Sequence, residues 1–333
     1  MLLDGRHGDR LCMRVYHWVP TVSIAPRVAT RQPRGSMRTA AGNTSSVTWT
    51  AADLPSFAGR TVVITGANSG LGAVTARELA RVGAKTIMAV RDTKKGAAAA
   101  EQMPGDVEVW ELDLQDLSSV REFADTLDAA DVLINNAGIM AAPYTITVDG
   151  FESQLATNHF GHFALTNLLL PKLTDRVVTV SSITHWRGHI DLDDLNWTAR
   201  QYAAYLAYGQ SKLANLLFTG ELQRRLDAAR SPLRSLAAHP GYSKTNLMNT
   251  SGRRLGDVLT AATKWMSTSA DFGARQTLYA VSQDLPGDTF IGPRFGMLGR
   301  SQPVGRSPAA RNVTTAAALW DLSEQLTGTK FPF

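Results

Sequence analysis

Tyr208 and Lys212 stand four residues apart in the segment Tyr205 to Arg225, where Leu206, Leu213, Leu216, Leu217 and Leu222 recur at helical spacing among Gln210, Ser211, Asn215 and Glu221. On such a helix the two side chains share a face. A free phenol has a pKa of about 10, so at neutral pH it is a poor base and only a moderate acid unless a nearby cation favours the phenolate. Lys212 is spaced to be that cation. The same pair also arises by chance on an amphipathic helix, so the elements around it decide.

The strongest of those elements lies upstream. Arg60 to Thr65 is a β-branched run suited to a buried strand, and it leads directly into Gly66-Ala67-Asn68-Ser69-Gly70-Leu71-Gly72, after which Ala73 to Val82 reads as a helix. Glycines there allow the main chain to approach a pyrophosphate, whose charge the helix N-terminal amides stabilise. The spacing is Thr-Gly-x-x-x-Gly-x-Gly, distinct from the Gly-x-Gly-x-x-Gly dinucleotide fingerprint, and an unliganded surface turn is the alternative. Further strands are predicted at Thr86 to Val90, Val107 to Leu112, Asp131 to Ile134, Arg176 to Ser181 and Leu233 to Ala238. Their alternation with helices shows no linker-like break before Pro293, so residues 55–333 are expected to form one α/β domain.

Four motifs in fixed order, Thr65 to Gly72, Asn135-Asn136-Ala137-Gly138, Ser182, and Tyr208 to Lys212, resemble the short-chain dehydrogenase/reductase family from about Leu54 to near the C-terminus. Ser181 to His185 and Ala207 to Asn215 are most similar to its retinol dehydrogenase and protochlorophyllide reductase-like branch. The resemblance implies a single-domain Rossmann-type fold, a doubly wound parallel sheet of about seven strands with helices on both faces. It also implies hydride transfer between a nicotinamide and a carbonyl or alcohol, with Tyr208 as acid/base and Lys212 both lowering its pKa and holding the nicotinamide ribose. Ser182, with Ser181 as fallback, would hydrogen-bond the substrate oxygen, and Asn158 would position a water linking the lysine to solvent. Ser182 and Tyr208 lie 26 positions apart (208 minus 182), longer than the commonest family spacing, which makes Arg187 to Tyr205 an inserted loop.

For the cofactor, the resemblance selects Gly66, Asn68, Ser69, Gly70, Leu71 and Gly72 at the turn, Asp113 and Leu114 near the adenine, and Asn135, Ala137 and Gly138 after the fourth strand. Asn136 is read as sheet support. Pro240 and Gly241 belong beside the nicotinamide, with Thr245 on its carboxamide. Arg91-Asp92 follows the second strand, where NAD-binding folds tend to place an acid against the ribose 2'-hydroxyl; Arg91 suits a 2'-phosphate, or is a solvated cation. Ser69 stands where the family often has a base, so NADP(H) is preferred on Arg91, with Lys94 or Lys95 as helpers, and NAD(H) stays open.

The net charge of +5 comes from residues 1–50, which hold seven arginines and two aspartates; 27 basic and 27 acidic residues remain from position 51 onward. A nucleic-acid partner is therefore not indicated. Little stable structure is expected before about Ser56, and this basic extension fits a transit peptide, an interaction tail or an over-extended gene start with translation from Met37. No apolar run reaches membrane-span length, and a cytoplasmic enzyme is expected. Cys12 is the only cysteine, which excludes an intrachain disulfide. His159 and His162 could pair on a metal, but no carboxylate or thiol stands beside them, so packing is expected and no metal.

Substrate loops are expected at 185–205 and 242–270, where Trp186, Trp197, Tyr202, Tyr205, Met248, Trp265 and Met266 offer apolar pocket surface or pack on the body. A small or lipophilic aldehyde, ketone or alcohol follows. The competing readings are a cofactor-binding sensor or scaffold, which has no use for a proton relay, and a sugar-nucleotide epimerase or dehydratase, which the glycine spacing disfavours. By resemblance, two long helices would pair subunits into a homodimer or homotetramer.

Overall fold

The computed structural model describes residues 48–241 and 269–333. Strand β1 (Thr61–Thr65) runs into the glycine turn and helix α1 (Gly70–Arg81). The chain continues through β2 (Lys85–Val90), α2 (Thr93–Ala100), β3 (Val107–Glu111), α3 (Leu117–Thr126) and β4 (Ala130–Asn135). A one-turn helix α4 (Ser153–Leu155), a π-helical stretch (Ala156–Phe160) and α5 (Gly161–Leu169) form one continuous rod. After β5 (Leu173–Val180) come the inserted loop, the long α6 (Ala204–Ala228) and β6 (Arg234–Ala238). Past the segment outside the described residues lie α7 (Ala270–Ser282), β7 (Phe290–Pro293), β8 (Ser301–Pro303) and α8 (Val313–Thr327).

The sheet order is β3-β2-β1-β4-β5-β6-β7-β8. Pairings from β3 to β7 are parallel and β8 adds antiparallel to β7. The expected seven-stranded doubly wound sheet is present, and β8 is an extra edge that its short Ser-Gln-Pro run did not signal. Alternation within each buried strand divides the core in two. Val63, Leu133, Val177 and Ala237 face α3, α5 and α6, while Val62, Ile64, Val132, Ile134, Val178 and Leu236 face α1 and α7. Strand order reverses between β1 and β4, so the crevice beyond their carboxyl ends is where such a sheet binds a ligand.

Helix α8 lies over α5 and α6. Trp320 stacks on Phe218 at 5.6 Å and meets Phe163 edge-on at 4.8 Å. Residues 207–222 of α6 are buried within one chain. Among the described residues no helix is long and apolar enough to cross a membrane.

Candidate active site

At the β1–α1 junction, Gly66 and Gly70 adopt positive φ of 65° and 55°, which glycine permits at no steric cost. A Cβ on Gly72 would lie 2.5 Å from both the Gly66 carbonyl and the Asn136 amide nitrogen. The N-cap Ser69 is exposed and makes no side-chain capping bond, so the first helical turn keeps its amides free of a side-chain cap. Asn136 donates to the Thr65 carbonyl at 2.8 Å and ties β4 to the turn, the supporting role expected of it. Asn68 and Leu71 are half-buried at the turn.

Asn135 departs from its expected place. Its amide donates to Thr166 at 2.9 Å and Thr179 at 3.4 Å, which turns the side chain into the sheet and away from the crevice. Ala137 and Gly138 do remain at the crevice; a Cβ on Gly138 would stand 3.1 Å from Asn158 Oδ1 and 3.4 Å from Lys212 Nζ. At the end of β2, Arg91 is exposed and has no hydrogen bond or ion pair among the described residues. Its neighbour Asp92 is occupied, accepting the Lys95 amide at 3.0 Å as helix cap and pairing with Lys95 Nζ at 2.9 Å. Asp113 accepts the Gln115 amide, and Leu114 is buried against Gly161. Pro240 and Gly241 form the turn after β6, Gly241 at φ 73°, with Met297 O closing over it. Thr245 lies outside the described residues.

The four residues expected to do chemistry converge from three elements. Tyr208 and Lys212 sit on α6 with Lys212 Nζ 5.7 Å from the Tyr208 ring centroid. Lys212 Nζ donates to the Val180 carbonyl at the end of β5, and Ser181 Oγ donates to the Lys212 carbonyl at 2.7 Å, so α6 is pinned to the strand that delivers the serines. Ser182, the second of the pair, accepts the Thr184 amide at 3.2 Å and stands close enough to the Tyr208 phenol to act on its proton. Ser181, the fallback, is buried with its hydroxyl proton committed to the helix backbone. Asn158, within the π-helical stretch, accepts from the Ile139 amide at 2.9 Å and donates to Ile139 O and to Ser211 Oγ.

Burial dominates the electrostatics. It pushes the Tyr208 phenol up to about 12, with the nearby Ser182 hydroxyl acting against it, and pulls the Lys212 ammonium down to about 7. The expected lowering of the phenol by Lys212 is therefore reversed. Both groups sit in a dry environment, and the ammonium faces a carbonyl instead of the phenol oxygen. A phenol that keeps its proton at neutral pH is a donor suited to an oxygen gaining negative charge.

Two further histidines frame the site and were not assigned to it from the sequence. His185 Nδ1 donates to Ser182 O at 2.7 Å while its Nε2 accepts from the Ser307 amide at 3.2 Å, which fixes the tautomer and ties the serine's turn to the C-terminal arm. His162 lies between Thr65 and Asn158. His159 faces Ser323 of α8 at 3.2 Å, and burial pulls it down to about 3. The adjacency of His185 to the serine pair is visible in the sequence, but its partner at position 307 is not.

The inserted loop corrects part of the pocket expectation. Trp197 is buried at positive φ under Arg200, whose guanidinium lies 3.9 Å from its ring. Tyr202 accepts from Gln154 and lies 3.0 Å from Glu152. These two side chains lock the loop onto the body. Trp186 and Tyr205 stay exposed, as do Ile183, Phe295 and Leu298. A Cβ on Gly296 would lie 3.9 Å from Ile183 Cδ1, so the 294–299 turn, unremarked in the sequence, brings apolar surface beside Ser182. Met248, Trp265 and Met266 lie outside the described residues.

Residues 60–255 match the short chain dehydrogenase family profile. The chain belongs to that family. Human retinol dehydrogenase 13 is 42% identical over 293 residues, covering 82% of this chain and 86% of that protein. A Mycobacterium paratuberculosis crystal structure is 72% identical with a TM-score of 0.78, covering 86% of this chain and all of that one (100%). A Beutenbergia cavernae structure with NADP bound at low occupancy is 25% identical, with a TM-score of 0.53 over 71% of this chain and 96% of that one. This short-chain dehydrogenase is thus an oxidoreductase.

Proposed function

We propose that this chain is an NADP(H)-dependent carbonyl reductase or alcohol dehydrogenase acting on a lipophilic aldehyde, ketone or alcohol. The observation that carries the reading is the convergence of the Tyr208 phenol, the Ser182 hydroxyl and the Lys212 ammonium beside Gly138, at the strand ends where the sheet order reverses. The glycine turn fits a pyrophosphate, because its positive-φ residues, uncapped helix start and Cβ-free approach at Gly72 leave room for a backbone-bound anion. Arg91 supports a 2'-phosphate, since among the described residues it is an unengaged cation while the acid next to it is spent on α2 and Lys95.

When bound, the reduced nicotinamide supplies a hydride to the carbonyl carbon. Ser182 donates a hydrogen bond to the carbonyl oxygen and Tyr208 gives it the proton as charge develops there. Lys212 would hold the ribose side, and Asn158 keeps its π-helical stretch and Ile139 in place around the lysine. The exposed apolar side chains of Ile183, Trp186 and Phe295 favour a lipophilic substrate, in line with the retinol dehydrogenase names of the relatives.

A sensor or scaffold reading is the alternative. It gives no reason for Asn158, Ser211 and Tyr208 to be hydrogen-bonded in series. Screening NADPH oxidation against aldehydes, ketones and quinones tests the choice. Turnover of at least one apolar carbonyl is expected, and NADPH binding without turnover of any would favour the sensor.

A further inference from the structure

His162 is a buried residue of α5 whose ring reaches two other elements. Nε2 lies 2.8 Å from Thr65 Oγ1, where β1 meets the glycine turn, and Nδ1 lies 3.2 Å from the backbone oxygen of Asn158. The partners determine which nitrogen carries the proton. Thr65 Oγ1 already accepts the amides of Asn136 and Ala137, each at 2.9 Å, which uses both lone pairs of a hydroxyl. Its own proton has two outlets, Ile134 O at 3.4 Å and His162 Nε2 at 2.8 Å, and the shorter is the better hydrogen bond. Nε2 is therefore the acceptor and Nδ1–H donates to Asn158.

The series continues beyond Asn158. Its amide donates to Ser211 Oγ at 2.8 Å, and Ser211 donates to the Tyr208 carbonyl at 2.8 Å. Through the backbone and the side chain of Asn158, buried hydrogen bonds thus link the dinucleotide turn to the helical turn that carries the phenol. We propose that His162 is a positioning residue: through Thr65 and the Asn158 carbonyl it holds the π-helical stretch, and with it Tyr208 and Lys212, in register with the cofactor turn.

This inference rests on the carbonyl reductase reading. The ring must stay neutral to serve, because a second ring proton would meet a hydroxyl with no lone pair left. The ionisable groups facing it, Lys212 from α6 and His159 from the preceding turn, both oppose protonation, and burial pulls the imidazole down to about 3. Loosening this link disturbs the proton donor and leaves the substrate surface alone, so the loss falls on kcat and not on KM.

The test compares wild type, His162→Leu and His162→Asn in NADPH-dependent carbonyl reduction across pH. His162→Leu is expected to lower kcat roughly 10- to 100-fold with KM within about threefold, and to shift the kcat–pH profile. His162→Asn, whose amide can donate from near the Nδ1 position, is expected to recover roughly tenfold. A leucine variant with wild-type kcat and pH profile, or an asparagine variant no better than leucine, overturns the inference while wild-type turnover leaves the carbonyl reductase reading standing. A wild type without turnover overturns both. If the leucine variant does not fold, imidazole nitrogen NMR of the wild type decides: an Nδ1–H tautomer that does not titrate between about pH 5 and 8 is expected, and an Nε2–H tautomer or a titration overturns the inference.

Discussion

Replacing Arg91 by Asp tests the cofactor assignment with little risk to the fold. Arg91 is exposed and unengaged among the described residues, so the substitution should leave stability within about 0.5 kcal/mol. Its effect on NADPH has two parts. Losing a charge-assisted hydrogen bond to phosphate removes about 1 to 2 kcal/mol at an exposed position, the lower part of the usual range because water screens it. Placing a carboxylate near the dianion adds repulsion of about 1 to 2 kcal/mol at surface-like effective dielectric. Asp92 does not change these terms, since it stays paired with Lys95 as the cap of α2. The sum is about 2 to 4 kcal/mol, or a roughly 30- to 1000-fold fall in kcat/KM for NADPH. With NADH the new carboxylate can accept from the ribose hydroxyl, so kcat/KM should hold or rise up to about tenfold. Initial rates with both cofactors at low and high salt provide the assay, and the NADPH penalty should shrink as salt screens it. Equal losses with both cofactors, or no loss with NADPH, would refute the reasoning.

Gly72→Ala would press a methyl group against the Gly66 carbonyl at 2.5 Å, a backbone contact that cannot swing away. NADPH affinity measured by calorimetry should fall at least about tenfold, with about 1 to 3 kcal/mol lost from stability; wild-type affinity would contradict the turn's assignment. Lys212→Met should inactivate the enzyme yet stabilise it at neutral pH, because burial lowers this ammonium from 10.5 to about 7. Between those values the unfolded chain holds the proton more tightly, so wild-type stability rises with pH there while this contribution vanishes in the Met variant. Urea unfolding at about pH 7 and 9.5 should therefore show the Met variant's advantage narrowing by roughly 3 kcal/mol. A constant difference would mean that Lys212 is not the titrating group.

The parts of this molecule that were legible in the sequence are those written in contiguous residues. Thr65 to Gly72 encodes a strand end, positive-φ positions and a helix start in one run, and Tyr208 and Lys212 share a face because helical periodicity alone puts them there. Contacts between distant segments were not legible. Asn135 and Asn136 are neighbours of the same type, yet strand alternation sends one into the sheet toward Thr166 and the other to the Thr65 carbonyl. Trp197 and Tyr202 looked like pocket residues because loop aromatics usually face a ligand or solvent. Arg200, Glu152 and Gln154, up to 50 positions away, instead fold them inward. The reversed pKa shift of Tyr208 has the same origin, since its size is set by burial under elements that no local pattern announces.

The most direct test of the central claim is a comparison of Tyr208→Phe with wild type, measuring NADPH binding and carbonyl turnover on the same preparations. Removing one hydroxyl from a buried ring leaves the glycine turn and Arg91 untouched. NADPH affinity should stay within a few-fold, while turnover should fall roughly 100- to 10,000-fold, the contribution of a positioned general acid. A phenylalanine variant that reduces its carbonyl substrate at the wild-type rate would contradict the account.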